Sequence, residues 1–431
     1  MKFLGQELGV LKNQVLALVY NLQAYFFSTF LGFMFPPRAL INDKPSCVQI
    51  NGPGGYDQLQ LEPLESDNGD SKVTIGYNAP KYGLTKPYVS IDNSKSYDEQ
   101  FHEDLLLVEI EYFSINYADI CIRWGLYESA LRYVGWPICP GFDFSGRIIW
   151  AGKKAISKSF QVNDLIFGVT LFGAYSKRVL VPYNQIRKTP LNKISQDKVA
   201  AVPAAVATAL HAVALSRNWP QKCMTQNKGV MIHSAAGGVG SQLISICKIQ
   251  GMRPIVGVVG STQKVDYCKQ LGCDYVIDKS KEDLWGRAIE ICPDGFNSIF
   301  DANGPETMSR SYDALSKCGS LVVYGVHSML PRGAGFLSPL TWIKMILSIL
   351  NIPKFDPMQM ILSSKSVNGF NLSFFGDEVD IIEAYFDQIV DWIKEDKIII
   401  PDVVKFDLVD IRKAHELIQS GESKGKIVVK T

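Results

Sequence analysis

A glycine-rich turn has the composition best suited to binding a ligand. The apolar run GVMIH leads into AAGGVG at residues 235–240, and apolar residues then recur at helical spacing up to Gly251. Glycine lets a backbone approach a pyrophosphate, and the N–H groups at the start of the next helix face the anion. Ala235 replaces the first glycine of the usual pattern, yet the order strand, turn, helix and strand favours a dinucleotide site over a structural turn.

The end of the second strand of this unit indicates which dinucleotide binds. Sites for NAD usually offer Asp or Glu to the ribose hydroxyls at this point, whereas this strand is followed by GSTQK at 260–264. A carboxylate would repel a 2′-phosphate, but Ser261 and Lys264 could bind it. We therefore predict NADPH as the cofactor. The alternative is that Lys264 is a solvated helix residue.

The whole chain suits a two-domain enzyme with a small-molecule or membrane partner. It has 431 residues, and 44 basic against 43 acidic residues give a formal charge of +1, which does not indicate a nucleic-acid surface. Nine cysteines occur without a CxxC pair or a zinc-knuckle spacing. We therefore expect reduced thiols in the cytosol and no metal site.

Two patterns of predicted secondary structure divide the chain. Short strand-like runs at 146–150, 165–169 and 177–181 indicate a compact β-rich domain. Beyond residue 200, strand-like and helix-like segments alternate, which predicts an α/β fold with a doubly wound parallel sheet. The predicted domains are a membrane-anchoring segment at 1–40, a substrate domain at 41–200, a Rossmann domain at 201–372, and a segment at 373–431 that completes the substrate domain.

The N-terminal region contains an uncharged apolar run that begins at Val15 and ends at Phe35. Its length is close to the ~20 residues that a helix needs to cross a bilayer. Asn21 and Gln23 would be costly if they faced lipid, so an amphipathic soluble helix is the alternative. We predict a membrane-associated protein whose catalytic part faces the cytosol.

A second apolar segment, 334–363, is interrupted by three prolines. A dimer surface, a substrate lid, a second membrane contact and an ordinary packed helix are all compatible with it.

The motifs together resemble a known family. AAGGVG, VGSTQK, VIDKSKED, FDANG and VVYG occur in the order found in the medium-chain dehydrogenase/reductase superfamily, in its zinc-free quinone oxidoreductase branch. INYADICIRWGLY and VNGFNLSFF look closest to the vesicle amine transport protein homologues. The resemblance covers roughly residues 100–431 and implies a Rossmann domain, a GroES-like β-rich domain and a homodimer.

The sequence departs from the zinc-dependent members at the motif that holds their metal. They carry GHExxG where this chain has GFDFSG at 141–146. Phe142 cannot ligate a metal, so zinc-dependent alcohol dehydrogenase chemistry is not expected. Asp143 is most simply a structural acid.

The resemblance also implies the residues of the site. Asn116 and Thr208 would hydrogen-bond the nicotinamide ribose or carboxamide. Tyr127 would donate a hydrogen bond to a substrate carbonyl, with simple aromatic packing as the alternative. Lys279 stands where the family has a tyrosine that assists phosphate binding. The catalytic candidates are Tyr127 and Asn116, and the cofactor-binding candidates are Thr208, Ala236, Gly237, Gly238, Val239, Gly240, Ser261, Lys264, Lys279, Asn303, Gly325 and Val326.

Two histidines in apolar runs, His211 and His233, are more simply core residues than acids or ligands.

Two functions are compatible with these features. The first is a membrane-associated reductase that transfers a hydride from NADPH to a small apolar quinone or α,β-unsaturated carbonyl. The second is a weakly catalytic or non-catalytic nucleotide-binding adaptor in lipid transfer or vesicle and membrane-protein trafficking. Intact cofactor motifs favour the enzyme, whereas the apolar N-terminus favours the adaptor.

Overall fold

The computed structural model describes residues 46–64, 71–75, 88–92, 94–216, 228–332, 336, 338–375 and 378–431. The predicted membrane segment from Val15 to Phe35 lies outside these residues. Among the helices of the described residues, none combines the length and the apolar character needed to cross a bilayer.

The chain alternates strands with helices after residue 228. The strands in chain order are β1 Ser46–Gln49, β2 Gln60–Pro63, β3 Ser71–Ile75, β4 Tyr88–Ile91, β5 Leu105–Ile115, β6 Asp143–Ala151, β7 Leu165–Val169, β8 Arg178–Pro182, β9 Ile186–Lys188, β10 Val230–Ile232, β11 Ile255–Val259, β12 Tyr275–Asp278, β13 Phe296–Asp301, β14 Leu315–Val323, β15 Ser366–Gly369, β16 Val403–Asp407 and β17 Lys426–Lys430. The helices are α1 Tyr97–Gln100, α2 Tyr117–Arg123, α3 Glu128–Tyr133, α4 Lys153–Ser157, α5 Gln196–Val199, α6 Pro203–Ser216, α7 Gly238–Ile249, α8 Val265–Leu271, α9 Leu284–Ile291, α10 Met308–Asp313, α11 Pro339–Leu350, α12 Pro357–Ser363, α13 Val379–Lys394 and α14 Ile411–Ser420.

Six strands form a parallel sheet in the order β12-β11-β10-β13-β14-β15. All residues of β10, β11 and β13 are buried. Parallel strands covered on both faces are buried along their whole length, which explains the apolar sequences of β10 and β11. This sheet is the Rossmann-like part of the predicted fold.

The second sheet has nine strands and is mainly antiparallel, and β5 is its central strand. The first half of β5 pairs with β8, and its residues 112–115 pair with the C-terminal strand β17. The chain therefore returns to the GroES-like sheet after completing the Rossmann-like one. This return places Lys426, the first residue of β17, beside Asn116 just before the start of α2.

Helix α13 joins the cores of the two sheets. Phe386 is fully buried in the cluster that contains residues of β10 and α7, and its ring centroid lies 6.0 Å from that of Phe167 in β7. The predicted domain boundary at 372/373 remains a prediction.

Candidate active site

The strand order of the six-stranded sheet reverses between β10 and β13, which makes the carboxyl ends of these two strands a topological switch point. The chain proceeds outward from β10 to β11 and β12 on one side, and from β13 to β14 and β15 on the other. Adjacent loops at this switch point leave in opposite directions, and ligands of open α/β sheets bind in the space between them. The predicted glycine turn follows β10 directly.

The glycines of the turn have different tasks. A Cβ atom on Gly240 would lie 2.4 Å from the Ser234 carbonyl oxygen, so glycine is required for the close packing of α7 on β10. A Cβ atom on Gly238 would lie 2.6 Å from Lys426 Cδ. Gly237 precedes α7 with extended backbone, and a Cβ atom there would be 3.2 Å from its nearest neighbour. Ala236 and Val239 occupy the remaining positions of the turn.

The loops after β13 and β14 bring three predicted residues to the same edge. Asn303 follows β13, and its Oδ1 accepts a hydrogen bond from Ser234 Oγ at 3.0 Å. A Cβ atom on Gly325 would lie 2.7 Å from the Ala302 carbonyl oxygen, so this loop crosses close to the first. Val326 follows with a 39% exposed side chain. The structure therefore brings Asn303, Gly325 and Val326 together beside the glycine turn.

A group of cationic side chains surrounds the end of β11. Lys264 Nζ donates to the Gly421 carbonyl oxygen at 2.6 Å. A Cβ atom on Gly260 would lie 4.0 Å from Lys279 Cε and 3.9 Å from an Arg332 guanidinium nitrogen. Burial lowers the pKa of Lys264, and the charge of Arg332 acts in the same direction. An anion bound here would offset this crowding of positive charge.

Ser261 lies at the start of the short turn that carries Lys264. The nearest acid of the neighbouring strand, Asp278, accepts hydrogen bonds from the hydroxyls of Thr262 and Ser280 at 2.6 Å each. These bonds lower the pKa of Asp278. Its negative charge is thus engaged by neighbouring donors. Lys279 Nζ lies 3.9 Å from Glu306 Oε1.

Asn116 lies at the junction of the two sheets, between a buried acid and a buried lysine. Its Nδ2 donates to Asp143 Oδ1 at 2.9 Å, and its Oδ1 accepts from Lys426 Nζ at 2.7 Å. Asp143 also accepts from Ser114 Oγ and from the backbone N–H of Ala204. Asp143 thus joins β5, β6 and the first turn of α6.

Tyr127 lies among aromatic side chains and has a hydrogen-bond partner within the protein. Its hydroxyl donates to Asn371 Oδ1 at 3.0 Å, and its ring packs edge-on against Phe142 and Phe172. Burial raises the pKa of Tyr127 to about 12. A substrate oxygen would have to replace Asn371 as acceptor, so the catalytic role of Tyr127 remains a prediction.

Phe142 takes the place of the metal-binding histidine with an aromatic contact. Its ring packs against Phe172 at 5.2 Å between centroids. In the described part of the chain, no group of three or more His, Cys, Asp or Glu side chains has the arrangement of a metal site.

Thr208 lies on α6, where its hydroxyl donates to the Ala204 carbonyl oxygen at 2.7 Å. Its oxygen can still accept a hydrogen bond. The two histidines from apolar runs have partners within the protein: the half-buried His211 Nδ1 bonds the Tyr385 hydroxyl, and the buried His233 Nε2 bonds Ser311 Oγ.

A contact between Tyr117 and His327 joins α2 to the loop after β14. The ring centroids are 4.1 Å apart, and the Tyr117 hydroxyl lies 3.4 Å from the His327 carbonyl oxygen. Burial lowers the pKa of His327 to about 4, so this imidazole is neutral at physiological pH. Nearby, Trp124 at the end of α2 is buried against Phe336 and Trp342.

Comparison with known proteins agrees with both sheets. The alcohol dehydrogenase GroES-like domain pattern matches residues 102–191, and the zinc-binding dehydrogenase pattern matches residues 238–387. The first match covers β5 to β9, and the second begins at the first residue of α7 and contains the carboxyl ends of β11 to β15.

The chain belongs to the medium-chain dehydrogenase/reductase superfamily.

Individual members of this superfamily resemble the chain at low identity. A synaptic vesicle membrane protein VAT-1 homolog of Danio rerio is 25% identical, covering 89% of this chain and 70% of its own length. A probable quinone oxidoreductase of Leishmania amazonensis is 23% identical, and the match covers 88% of this chain and 99% of that protein. Escherichia coli quinone oxidoreductase in complex with NADPH is 21% identical, with a TM-score of 0.65 over 90% of this chain and all of that one.

The site of this superfamily member contains residues that sequence reasoning missed. Arg332 and Lys426 lie far along the chain from the glycine turn, in segments without a motif. His327 follows Val326 directly after the VVYG motif, so the sequence alone could have placed it near the site. Lys426 directly follows a glycine that donates to the Ala236 carbonyl oxygen at 3.1 Å, a contact that no local pattern indicates.

Gly240→Ala should disturb the site more than Gly237→Ala. The added methyl at 240 meets backbone atoms at 2.4 Å, whereas the one at 237 meets its nearest neighbour at 3.2 Å. Such overpacking typically costs about 1–3 kcal/mol. We expect Gly240→Ala to lower the free energy of unfolding in urea and to weaken NADPH binding in a fluorescence titration. Equal effects of the two substitutions would contradict the different tasks of these glycines.

Proposed function

We propose that the protein is a zinc-independent, NADPH-dependent reductase of a quinone or an α,β-unsaturated carbonyl compound. The observation that carries the proposal is the placement of two groups at the switch point: the glycine turn follows β10, and the cationic group around Gly260 follows β11. The relatives named as quinone oxidoreductases, among them the NADPH complex from Escherichia coli, support the same class.

Bound NADPH would supply the hydride, and the chain's own residues would bind and orient the reactants. The α7 N-terminus offers backbone N–H groups to the pyrophosphate. Ser261, Lys264, Lys279 and Arg332 offer donors to the 2′-phosphate. Asn116, Thr208, Asn303, Gly325 and Val326 would hold the nicotinamide end, where the acceptor must also enter.

The acceptor oxygen gains negative charge as the hydride arrives, so a hydrogen-bond donor at that oxygen stabilises the transition state more than the ground state. Asn116 and Tyr127 are the candidate donors. The final proton would come from water or from Tyr127. Phe142 and its aromatic neighbours suit flat apolar acceptors, and no metal ligand is required for this chemistry.

The first test measures binding and turnover separately in the chain without residues 1–40. We expect NADPH to bind with enhanced nicotinamide fluorescence, and a loss of absorbance at the nicotinamide wavelength on addition of quinones or enals. Binding without turnover on any acceptor would overturn the reductase proposal and favour the adaptor hypothesis.

Lys264→Glu and Arg332→Ala should weaken NADPH binding much more than NADH binding. Only NADPH carries the 2′-phosphate, and a hydrogen bond to a charged group contributes about 1.5–3 kcal/mol, or roughly 10- to 100-fold in affinity. Lys281→Ala changes an exposed lysine of the next loop and is the matched control. Fluorescence titrations of both dinucleotides provide the measurement. An equal loss for NADH and NADPH would remove the phosphate assignment.

The chain has an apolar face suited to a second copy of itself. Leu340, Ile343, Leu347 and Leu350 on α11, and Met358, Ile361 and Leu362 on α12, are each more than half exposed. Helix α12 leads directly into β15, the outer strand of the six-stranded sheet. We propose that this edge and this face form a homodimer contact, because a twofold axis would cover both at once.

Membrane attachment is proposed for the N-terminal apolar run and not for this face. In the chain without residues 1–40, we expect a dimer by sedimentation, release from membranes, and dissociation by Ile361→Asp. Ile289→Asp on the exposed side of α9 is the control, because Ile289 is also more than half exposed. Persistent membrane binding of the shortened chain would instead assign the α11–α12 face to lipid.

A further inference from the structure

The Asn116 side chain is enclosed by two buried charged groups. Lys426 is 4% exposed and Asp143 is fully buried, and Lys426 Nζ lies 3.7 Å from Asp143 Oδ2. The ammonium donates to Asn116 Oδ1 at 2.7 Å and to the Ile115 carbonyl oxygen at 3.3 Å. The other end of the amide, Nδ2, donates to Asp143 Oδ1 at 2.9 Å.

The chemistry of these neighbours determines the orientation of the amide. An ammonium group has only donors, and a carboxylate has only acceptors. A flipped Asn116 would place its NH₂ group against the ammonium and its oxygen against the carboxylate. The observed orientation is therefore the one that both neighbours stabilise. It leaves one N–H of Nδ2 without a part in this network.

Lys426 also contacts the glycine turn at residues 235–240. Its aliphatic chain lies against Gly238, where a Cβ atom would be 2.6 Å from Lys426 Cδ. Asp143 reaches the other sheet's helices through the backbone N–H of Ala204, 3.3 Å from Oδ2. The pair thus couples the orientation of Asn116 to the position of the glycine turn and of α6, the helix that carries Thr208.

We infer that Lys426 is a positioning residue that makes Asn116 a donor-only amide, whose remaining N–H recognises an acceptor oxygen bound at the junction of the two sheets. The oxygen belongs either to the dinucleotide, on its ribose or carboxamide, or to the carbonyl of the hydride acceptor. A cation on the amide oxygen also polarises the amide and strengthens its N–H donors. The inference rests on the proposed reductase function and adds to it a residue and the direction of a hydrogen bond.

The constraint depends on the protonation of Lys426. Burial lowers the pKa of Lys426, and the carboxyl groups of Asp143 and Asp119 oppose this shift. Below that pKa, the ammonium holds the Asn116 oxygen. As the pH rises through it, the amine loses its positive charge and can accept a hydrogen bond, so the amide is free to turn. The function of Asn116 should therefore weaken on the alkaline side.

A double-mutant cycle tests whether Lys426 acts through Asn116. The cycle comprises the unaltered chain, Lys426→Met, Asn116→Ala and the double variant, with Lys430→Met on the exposed end of β17 as control. Each protein is titrated with NADPH and assayed with a quinone. We expect Lys426→Met to cause a loss of at least about tenfold, within the ~10²-fold that a 1 Å displacement costs. In the Asn116→Ala background, the same change should add less than about twofold, the usual error of additivity.

The two readouts distinguish the sources of the oxygen. A loss in NADPH affinity assigns the N–H to the dinucleotide, and a loss in kcat/KM for the quinone at constant NADPH affinity assigns it to the acceptor. The alkaline decline seen in the unaltered chain should be absent from Lys426→Met. If thermal unfolding shows that Lys426→Met does not fold, Asp143→Asn/Lys426→Met replaces it in the cycle, because this pair leaves no unpaired charge.

The inference would be overturned if the losses caused by Lys426→Met and Asn116→Ala multiply in the double variant, in both NADPH affinity and kcat/KM. It would also be overturned if Lys430→Met causes a loss as large as that of Lys426→Met. A chain that binds NADPH but reduces no acceptor would count against the proposed function alone, because the binding arm of the cycle still applies. Unchanged NADPH affinity in every variant, together with absent turnover, would overturn both.

Discussion

A charge buried beneath the dinucleotide turn must be compensated, and much of the site geometry depends on that requirement. Lys426 and Asp143 are shielded from water, so each needs the other together with polar neighbours. Those neighbours come from β5, the loop before α2 and the start of α6. The pair is therefore complete only when both sheets and the C-terminal strand are in place.

Close backbone approach is the second constraint. At Gly240 the backbone lies so close to the Ser234 carbonyl oxygen that no side chain would fit. At Gly325, in the loop after β14, the backbone is likewise too close to the Ala302 carbonyl oxygen for a side chain. The close packing at Gly240 fixes α7 at the end of β10, and the N–H groups at a helix N-terminus favour an anion. The same parallel sheet that buries both of its faces therefore creates a binding edge at its strand ends.

Aromatic packing fills the place where related enzymes carry a metal ligand. Phe142 contacts Tyr127 and Phe172, while its neighbour Asp143 is held by internal donors. The proposed chemistry at this site consequently relies on orientation and hydrogen bonding. Hydride transfer needs a fixed distance between the nicotinamide carbon and the acceptor carbon, together with a hydrogen-bond donor at the developing oxyanion. Asn116, a candidate donor, lies where the two sheets meet.

Local sequence patterns determined the Rossmann-like sheet, the glycine turn and the change to a β-rich domain, because periodicity and glycine spacing act over a few residues. The departure of Phe142 from a metal-binding motif was also visible in the sequence. Tertiary structure alone decided that Lys426 lies on Asn116, that Arg332 lies beside Gly260, and that the Tyr127 hydroxyl is bonded to Asn371. These contacts join residues far apart in the chain. Their geometry depends on how two sheets pack, which no local pattern encodes.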